Sequence, residues 1–381
     1  MIMHIGFLTP EYPHQSLSPS GGLGTSIKNL AVKLAESGVK VTVFVVFQNQ
    51  DKTFEDQSVK IRSIKLKKHR FFGWYKERKR IQNIIQKEIN KESINIIEAP
   101  DWTGISTFMK FTVPIVIRLN GSDAYFCKLD DRKQKFKNFV FEKTALKRAD
   151  EIVSVSTFTG TLTKKIFGLK NNIQTIHNSI DVDQFLPNNS EINDGQILYF
   201  GTIIRKKGVL ELANAFNLVI EKNSNANLLL VGKDVIDVFT KMSTIQLFYD
   251  ALSPKAKAAV THLQEVSYDK IKRYIQKTNV VVLPSFAEAF PMTWLETLAM
   301  EKALVSSNVG WANELMVNNS TGFTVDPRNH EEFASKIIEL LENPKLCEAF
   351  GKAGRLRVVE KFSAQTITNQ NIEFYKSVIN R

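Results

Sequence analysis

Two glutamates eight positions apart, Glu288 and Glu296, stand in VVVLPSFAEAFPMTWLETLAMEKALVSSN, where an apolar strand runs through a loop into a helix. The strand is expected over residues 280–283, ending at Pro284. Glu288 then falls in the turn and Glu296 inside the helix. Pro291 is expected at the first helical position, where its fixed φ fits and its missing N–H costs nothing. Amides near Pro291, Met292 and Thr293 would then face outward at the carboxyl end of a sheet, a place that favours anionic or hydroxyl-rich ligands. Paired carboxylates can share acid and base work, which suggests a hydrolase. The placement favours another division: Glu296, in a helix that begins at the sheet edge, suits a diol, and Glu288 in the turn can reach a reacting group. The alternative for either is an exposed charge, the usual fate of Glu.

Cations offer a complementary chemistry. A strand over 196–200 leads into GTIIRKKGVLEL, which puts Arg205, Lys206 and Lys207 just before a helix. Positive side chains at a helix start oppose its dipole, so they make better sense with a phosphate among them than as solvated surface. Arg205 and Lys207 are the leading candidates. Near the amino end, PEYPHQSLSPSGGLGTSIKNL places Gly21, Gly22 and Gly24 at another helix entry, where backbone amides are open to a phosphate or sugar. Such a loop is often only a turn. It matches neither the dinucleotide fingerprint nor the P-loop pattern, which removes the main support for a dinucleotide oxidoreductase.

These residues need rigid elements behind them, and the chain reads as strand then helix, repeated. Strands are expected at 4–8, 39–47, 60–66, 94–99, 115–119, 151–156 and 173–178, and then at 196–200, 227–231, 260–264, 279–283, 304–307 and 321–325. Helices fit between most of them, including one after Gly24 with Ile27, Leu30, Ala31 and Leu34 at helical spacing, and one carrying Ile81, Ile84, Ile85 and Ile89. The polar stretch 181–194 (DVDQFLPNNSEIND) suggests a boundary, giving domains 1–187 and 188–363, with a last helix over 364–379. The fold class expected is α/β, with two doubly wound parallel sheets whose strand ends aim at a shared cleft. A single large sheet is the alternative.

The 381 residues, 43% of them hydrophobic, suit a globular protein with cores of ordinary size. Two cysteines, Cys127 and Cys347, suggest neither a disulfide framework nor a thiolate metal site, and no His/Asp ligand cluster is evident. No apolar run is long enough to span a bilayer and no signal peptide is recognisable, so a cytoplasmic protein is expected. The net charge of +12 is uneven: residues 1–190 hold 29 basic and 18 acidic residues, so nearly all the excess lies there. Between Lys60 and Arg80, ten basic residues face the single acid Glu77, with Phe71, Phe72, Trp74 and Tyr75 interleaved. A second cluster runs from Lys128 through Lys133, Lys135, Lys137 and Lys143 to Arg148. Together they favour an anionic partner surface over ordinary solvated faces. A nucleic-acid-binding protein would explain the charge, but no reading motif accompanies it and the glutamates would have no purpose.

The chain resembles the GT-B retaining glycosyltransferases of family 4, the glycosyl transferases group 1. The resemblance is carried by GGLG, HNSIDVDQF at 177–185, GTIIRKKG, LLLVG at 228–232 and the long segment from Pro284 to Leu315. It implies two Rossmann-like domains facing across a cleft, the last helix returning to the first, and sugar transfer from a nucleotide diphosphate sugar to an acceptor hydroxyl with retention. It also implies that Glu296 binds the nucleotide ribose and Glu288 the donor sugar. Amides at Phe290, Met292 and Thr293 would hold sugar hydroxyls or diphosphate, Lys207 the diphosphate, and Gly22 the donor phosphates or the acceptor. Two positions depart from the family pattern. Thr202 stands where many members have Arg, so Arg205 is expected to supply that phosphate contact. Asn120 stands where many have His, as a neutral hydrogen-bonding group near the donor sugar. No metal or other cofactor is expected. The basic, aromatic stretch 60–80 is expected to lie on an anionic membrane surface and reach a lipid-linked saccharide, the fallback being a soluble acceptor. A nucleotide-sugar epimerase or a phosphorylase of the same architecture explains the GGLG loop and the two glutamates less well.

Overall fold

The computed structural model describes residues 2–170, 172–188, 192–264 and 266–381, apart from the side chains of residues 268 and 269. The chain forms two units, Met1–Ser179 with Ala364–Arg381, and Ile180–Ser363. The crossing at Ser179 lies eight residues before the boundary expected from the polar stretch.

In the first unit the strands are β1 (His4–Thr9), β2 (Lys40–Gln48), β3 (Lys52–Asp56), β4 (Val59–Lys65), β5 (Ile96–Pro100), β6 (Ile115–Leu119), β7 (Glu151–Ser154) and β8 (Gln174–Thr175), in the order β3-β4-β2-β1-β5-β6-β7-β8. All neighbours pair in parallel except β3 with β4. Strand β1 is buried along its whole length, as a strand covered on both faces must be. On one side Ile27, Leu30 and Leu34 of the helix Gly22–Glu36 pack with Phe374, Tyr375 and Val378 of the last helix, Ala364–Ile379; on the other, Ile81, Ile85 and Ile89 cover the sheet. The edge strand β3 is absent from the sequence expectation. Its KTFED lacks an apolar period, and its partners across the hairpin define it.

The last helix is fastened by a buried polar network. Arg118 of β6 donates to both carboxylate oxygens of Glu98 on β5 at 2.7 and 2.9 Å and to Asn371 at 2.5 Å. The Tyr375 hydroxyl donates to Glu98 at 2.7 Å.

In the second unit the strands are β9 (Gln196–Phe200), β10 (Asn227–Val231), β11 (Val260–Leu263), β12 (Val280–Leu283), β13 (Ala303–Ser307) and β14 (Phe323–Val325), all parallel, in the order β11-β10-β9-β12-β13-β14. The order reverses between β9 and β12, and loops leaving the carboxyl ends of two strands part there to leave a crevice. The equivalent reversal in the first unit lies between β1 and β5. Among the described residues no helix is long and apolar enough to cross a membrane.

Candidate functional site

The two loops that leave β9 and β12 carry Lys207 and Glu288, the residues singled out from sequence. After β9, Gly201 turns with φ +133 and the chain enters a 3-10 turn, Arg205–Lys207. Gly208 ends it at φ +71, and a Cβ there would meet the Pro284 carbonyl oxygen at 2.0 Å, so only glycine lets the two loops pack. The Phe286 amide donates to the Lys206 carbonyl at 2.9 Å, sewing the second loop to the first. As a result Lys207 Nζ lies 3.2 Å from Glu288 Oε1, which also accepts from the Ser285 hydroxyl at 3.1 Å. Both side chains keep partial access to solvent, 21% and 16%.

Beneath them the Tyr199 hydroxyl donates to the Thr202 carbonyl at 2.9 Å. Burial, reinforced by the Glu288 carboxylate, holds this phenol well above its ordinary pKa, so it remains a neutral donor that fixes the turn.

The helix after Glu288 spans Met292–Ala299 and starts one residue later than expected. Pro291 is its N-cap, with φ −73 and an extended ψ of 122, and not its first helical residue. A cap residue keeps non-helical ψ, so the first-turn amides are those of Met292, Thr293 and Trp294. Phe290 is buried with its ring 5.4 Å from that of Phe362, which leaves its backbone as the part able to meet a ligand. Glu296 is buried in the second turn of the helix.

Arg205 has a partner the sequence did not suggest. Its Nε and Nη2 donate to the two carboxylate oxygens of Asp237 at 2.8 and 3.0 Å, and the Thr240 amide and hydroxyl satisfy the same carboxylate. Asp237 is fully buried, and a buried carboxylate without a cation would be costly. The Arg205 hydrogen bonds hold the Asp237 carboxyl far below the usual range, and the pairing raises Arg205 in turn. The guanidinium expected to face a phosphate is thus largely occupied, with Nη1 making no hydrogen bond among the described residues.

In the first unit Gly22 begins the helix Gly22–Glu36, with open space where a Cβ would stand. The neighbouring amides are not open. The Glu11 carboxylate accepts from Gly21 N at 3.1 Å and Gly24 N at 2.8 Å, so an internal anion already neutralises this helix start. That weakens the phosphate role read from the glycines and leaves room for hydroxyls. Gly24 is closely packed: a Cβ there would displace the Ser20 hydroxyl, 2.0 Å away, and press on the Glu11 carbonyl at 3.1 Å.

Asn120 follows β6 and is half-buried, and its backbone N–H donates to Asp101 Oδ1 at 3.0 Å. Asp101 is fully buried, and its Oδ2 has no hydrogen-bond partner among the described residues. Burial first, and the Glu142 carboxyl second, push Asp101 up to about 8; burial pushes Glu142 up to about 7. Glu11, Asp101 and Asp237 were not picked out from sequence, since an acid in a loop carries no local mark of burial. Among the described residues no group of three or more His, Cys, Asp or Glu side chains could hold a metal ion.

Comparison with known proteins agrees with this geometry. The model of Glycosyltransferase Family 4 matches residues 20–184 and that of Glycosyl transferases group 1 matches residues 183–357. The chain is 31% identical over 261 residues, 64% of its length and 67% of the relative's, to the capsular polysaccharide biosynthesis glycosyltransferase CapM of Staphylococcus aureus. Among solved structures, sucrose-phosphate synthase from Thermosynechococcus elongatus superposes with a TM-score of 0.79 at 19% identity, covering 99% of both chains. Anabaena Alr3699/HepE, solved in complex with UDP-glucose, gives 0.75 at 17% identity over 98% of this chain and 100% of its own. With two sheets of reversed strand order, the Lys207–Glu288 pair at the reversal of the second, and these matches along most of its length, the chain belongs to the glycosyl transferases group 1 and is a glycosyltransferase of GT-B fold.

Proposed function

We propose that this glycosyltransferase moves a sugar from a nucleotide diphosphate sugar to an acceptor hydroxyl, with retention at the anomeric carbon, on a lipid-linked saccharide in polysaccharide or glycolipid assembly. The observation that carries the reading is the Lys207–Glu288 pair, 3.2 Å apart beside the start of the helix Met292–Ala299. The likeness to CapM supports a place in polysaccharide assembly, and the UDP-glucose complex of HepE supports a sugar nucleotide.

Departure of the leaving group builds negative charge on the diphosphate and positive charge on the sugar. A cation held at the site and first-turn amides fixed by the helix stabilise that charge as it appears. In this reading the diphosphate takes Lys207 from Glu288, and the freed carboxylate accepts from a donor-sugar hydroxyl. Arg205 adds its Nη1 from a position set by Asp237, Glu296 binds the ribose diol, and the amides of Phe290, Met292 and Thr293 hold the remaining oxygens. Gly22 and Asn120 are read as contacts to sugar hydroxyls. Charge neutralisation by these groups needs no metal. The stretch between Lys60 and Arg80 is read as the side that meets an anionic membrane.

Thermal-shift screening with UDP, GDP and ADP, and then with their sugars, tests the donor reading. One nucleotide series is expected to raise the melting temperature, and Lys207→Ala and Glu296→Ala each to cut transfer at least about a hundredfold with the fold retained. No shift with any sugar nucleotide, or normal transfer by both variants, would remove the assignment. The anomeric configuration of the product, read by NMR, decides retention.

A further inference from the structure

Two stretches far apart in sequence, 67–78 and 133–141, meet on one face of the first unit. Trp74 packs 5.1 Å from Phe141 and 5.3 Å from Phe108, Lys137 Nζ lies 5.9 Å over the Trp74 ring, and the Arg78 guanidinium lies 4.9 Å over Phe141. Beside this aromatic base Phe71, Phe72 and Phe136 are left 63%, 70% and 79% exposed. Three phenyl rings this exposed at helix starts bury little area within the fold.

The charge on this face is segregated. Glu77, the one acid within the two stretches, and Glu142, which follows the second, are buried; Asp131, just before the second stretch, is the exposed acid nearest to it in sequence. Glu77 accepts from Arg80, the Lys67 amide and the His69 ring, and Glu142 from the amides of Thr103, Asp123 and Ala124. Lys68, Arg70, Lys76, Lys133, Lys135 and Lys137 point to solvent. Both helices that begin here, Gly73–Glu92 and Phe136–Arg148, lack a side-chain cap and an acid in the first turn, so their positive ends add to the cations. The face draws on parts of both basic clusters noted in the sequence. Lys60 is bonded to Glu88 and Glu92, and Arg80 to Glu77, so the cations at both ends of 60–80 are engaged within the unit, while residues 133–137 join from elsewhere.

We propose that this composite face docks on an anionic lipid bilayer, with Phe71, Phe72 and Phe136 entering the boundary between headgroups and acyl chains and the surrounding cations meeting lipid phosphates. A second copy of the chain is a poor occupant, because each cation would meet its like. Nucleic acid is a weaker fit, because no reading motif accompanies the cations, and Trp74 is packed on Phe141 with Lys137 over its ring. The inference rests on the membrane part of the function proposed above and is independent of the donor part.

Co-sedimentation of the full chain with vesicles, in the absence of nucleotide, is the test. Binding is expected to vesicles of equimolar phosphatidylcholine and phosphatidylglycerol and not to phosphatidylcholine alone. Phe71→Ser/Phe72→Ser/Phe136→Ser and, separately, Lys133→Gln/Lys135→Gln/Lys137→Gln are each expected to weaken it at least about tenfold with an unchanged melting temperature. Equal binding by all three proteins would overturn the proposal, as would indifference to phosphatidylglycerol or stronger binding to an oligonucleotide. A loss confined to the phenylalanine variant would overturn the two-stretch face. If nucleotide still raises the melting temperature when vesicle binding fails, only this inference falls.

Discussion

A buried acid behind Asn120 makes the first unit sensitive to pH. The Asp101 carboxyl ionises near 3.8 in an ordinary setting and at about 8 in the fold, where burial and Glu142 oppose its charge. Between those values the folded state holds a proton that the unfolded chain has lost, so rising pH draws stability away until the folded group ionises. The effect is complete above about pH 8. Asp101→Asn keeps an oxygen for the Asn120 amide and removes the titration. Between melts at about pH 5 and about pH 8 the wild type should lose more stability than the variant by at least about 1.4 kcal/mol, the equivalent of one pK unit. Equal slopes would show that Asp101 is charged in the fold. The Lys207–Glu288 pair is the opposite case: partly exposed, close, and available to exchange partners.

Among the elements, the helix Ala364–Ile379 depends on one buried ion pair as well as on its apolar stripe. Arg118→Ala would leave Glu98 buried with only the Tyr375 hydroxyl, and is expected to cost about 3–5 kcal/mol in urea denaturation. Replacing both residues, as Glu98→Met/Arg118→Met, should cost much less, because no uncompensated charge remains. A double variant as unstable as the single one would mean that the helix is held by geometry the network alone supplies. The loop from Lys233 to Ser243 follows the same rule on a smaller scale, since Asp237 ties it to the turn that carries Lys207.

At the scale of the molecule, the last eighteen residues complete the core of a unit that begins at the other end of the chain. Deleting residues 364–381 bares Ile27, Leu30 and Leu34 and strands the Arg118–Glu98 pair. The loss should exceed the ~5–15 kcal/mol that keeps an ordinary domain folded, so the first unit should lose its thermal transition or aggregate. A truncated chain with an unchanged calorimetric profile would show that the helix only decorates the sheet. Much of this architecture was legible in sequence: alternating strands and amphipathic helices, Gly208 and Pro284 marking the two loops, and the spacing that put Lys207 and Glu288 after strands that prove to be neighbours. Strand and helix follow from local periodicity, and reversed strand order follows from how such units wind. Which charges are free could not be read this way. Glu11 takes the Gly21 and Gly24 amides, Asp237 takes Arg205, Glu88 and Glu92 take Lys60, while Lys135 stays in water and Lys137 lies exposed over Trp74. Pairing and burial are set by neighbours brought in from tens of residues away, so only the tertiary structure could decide them.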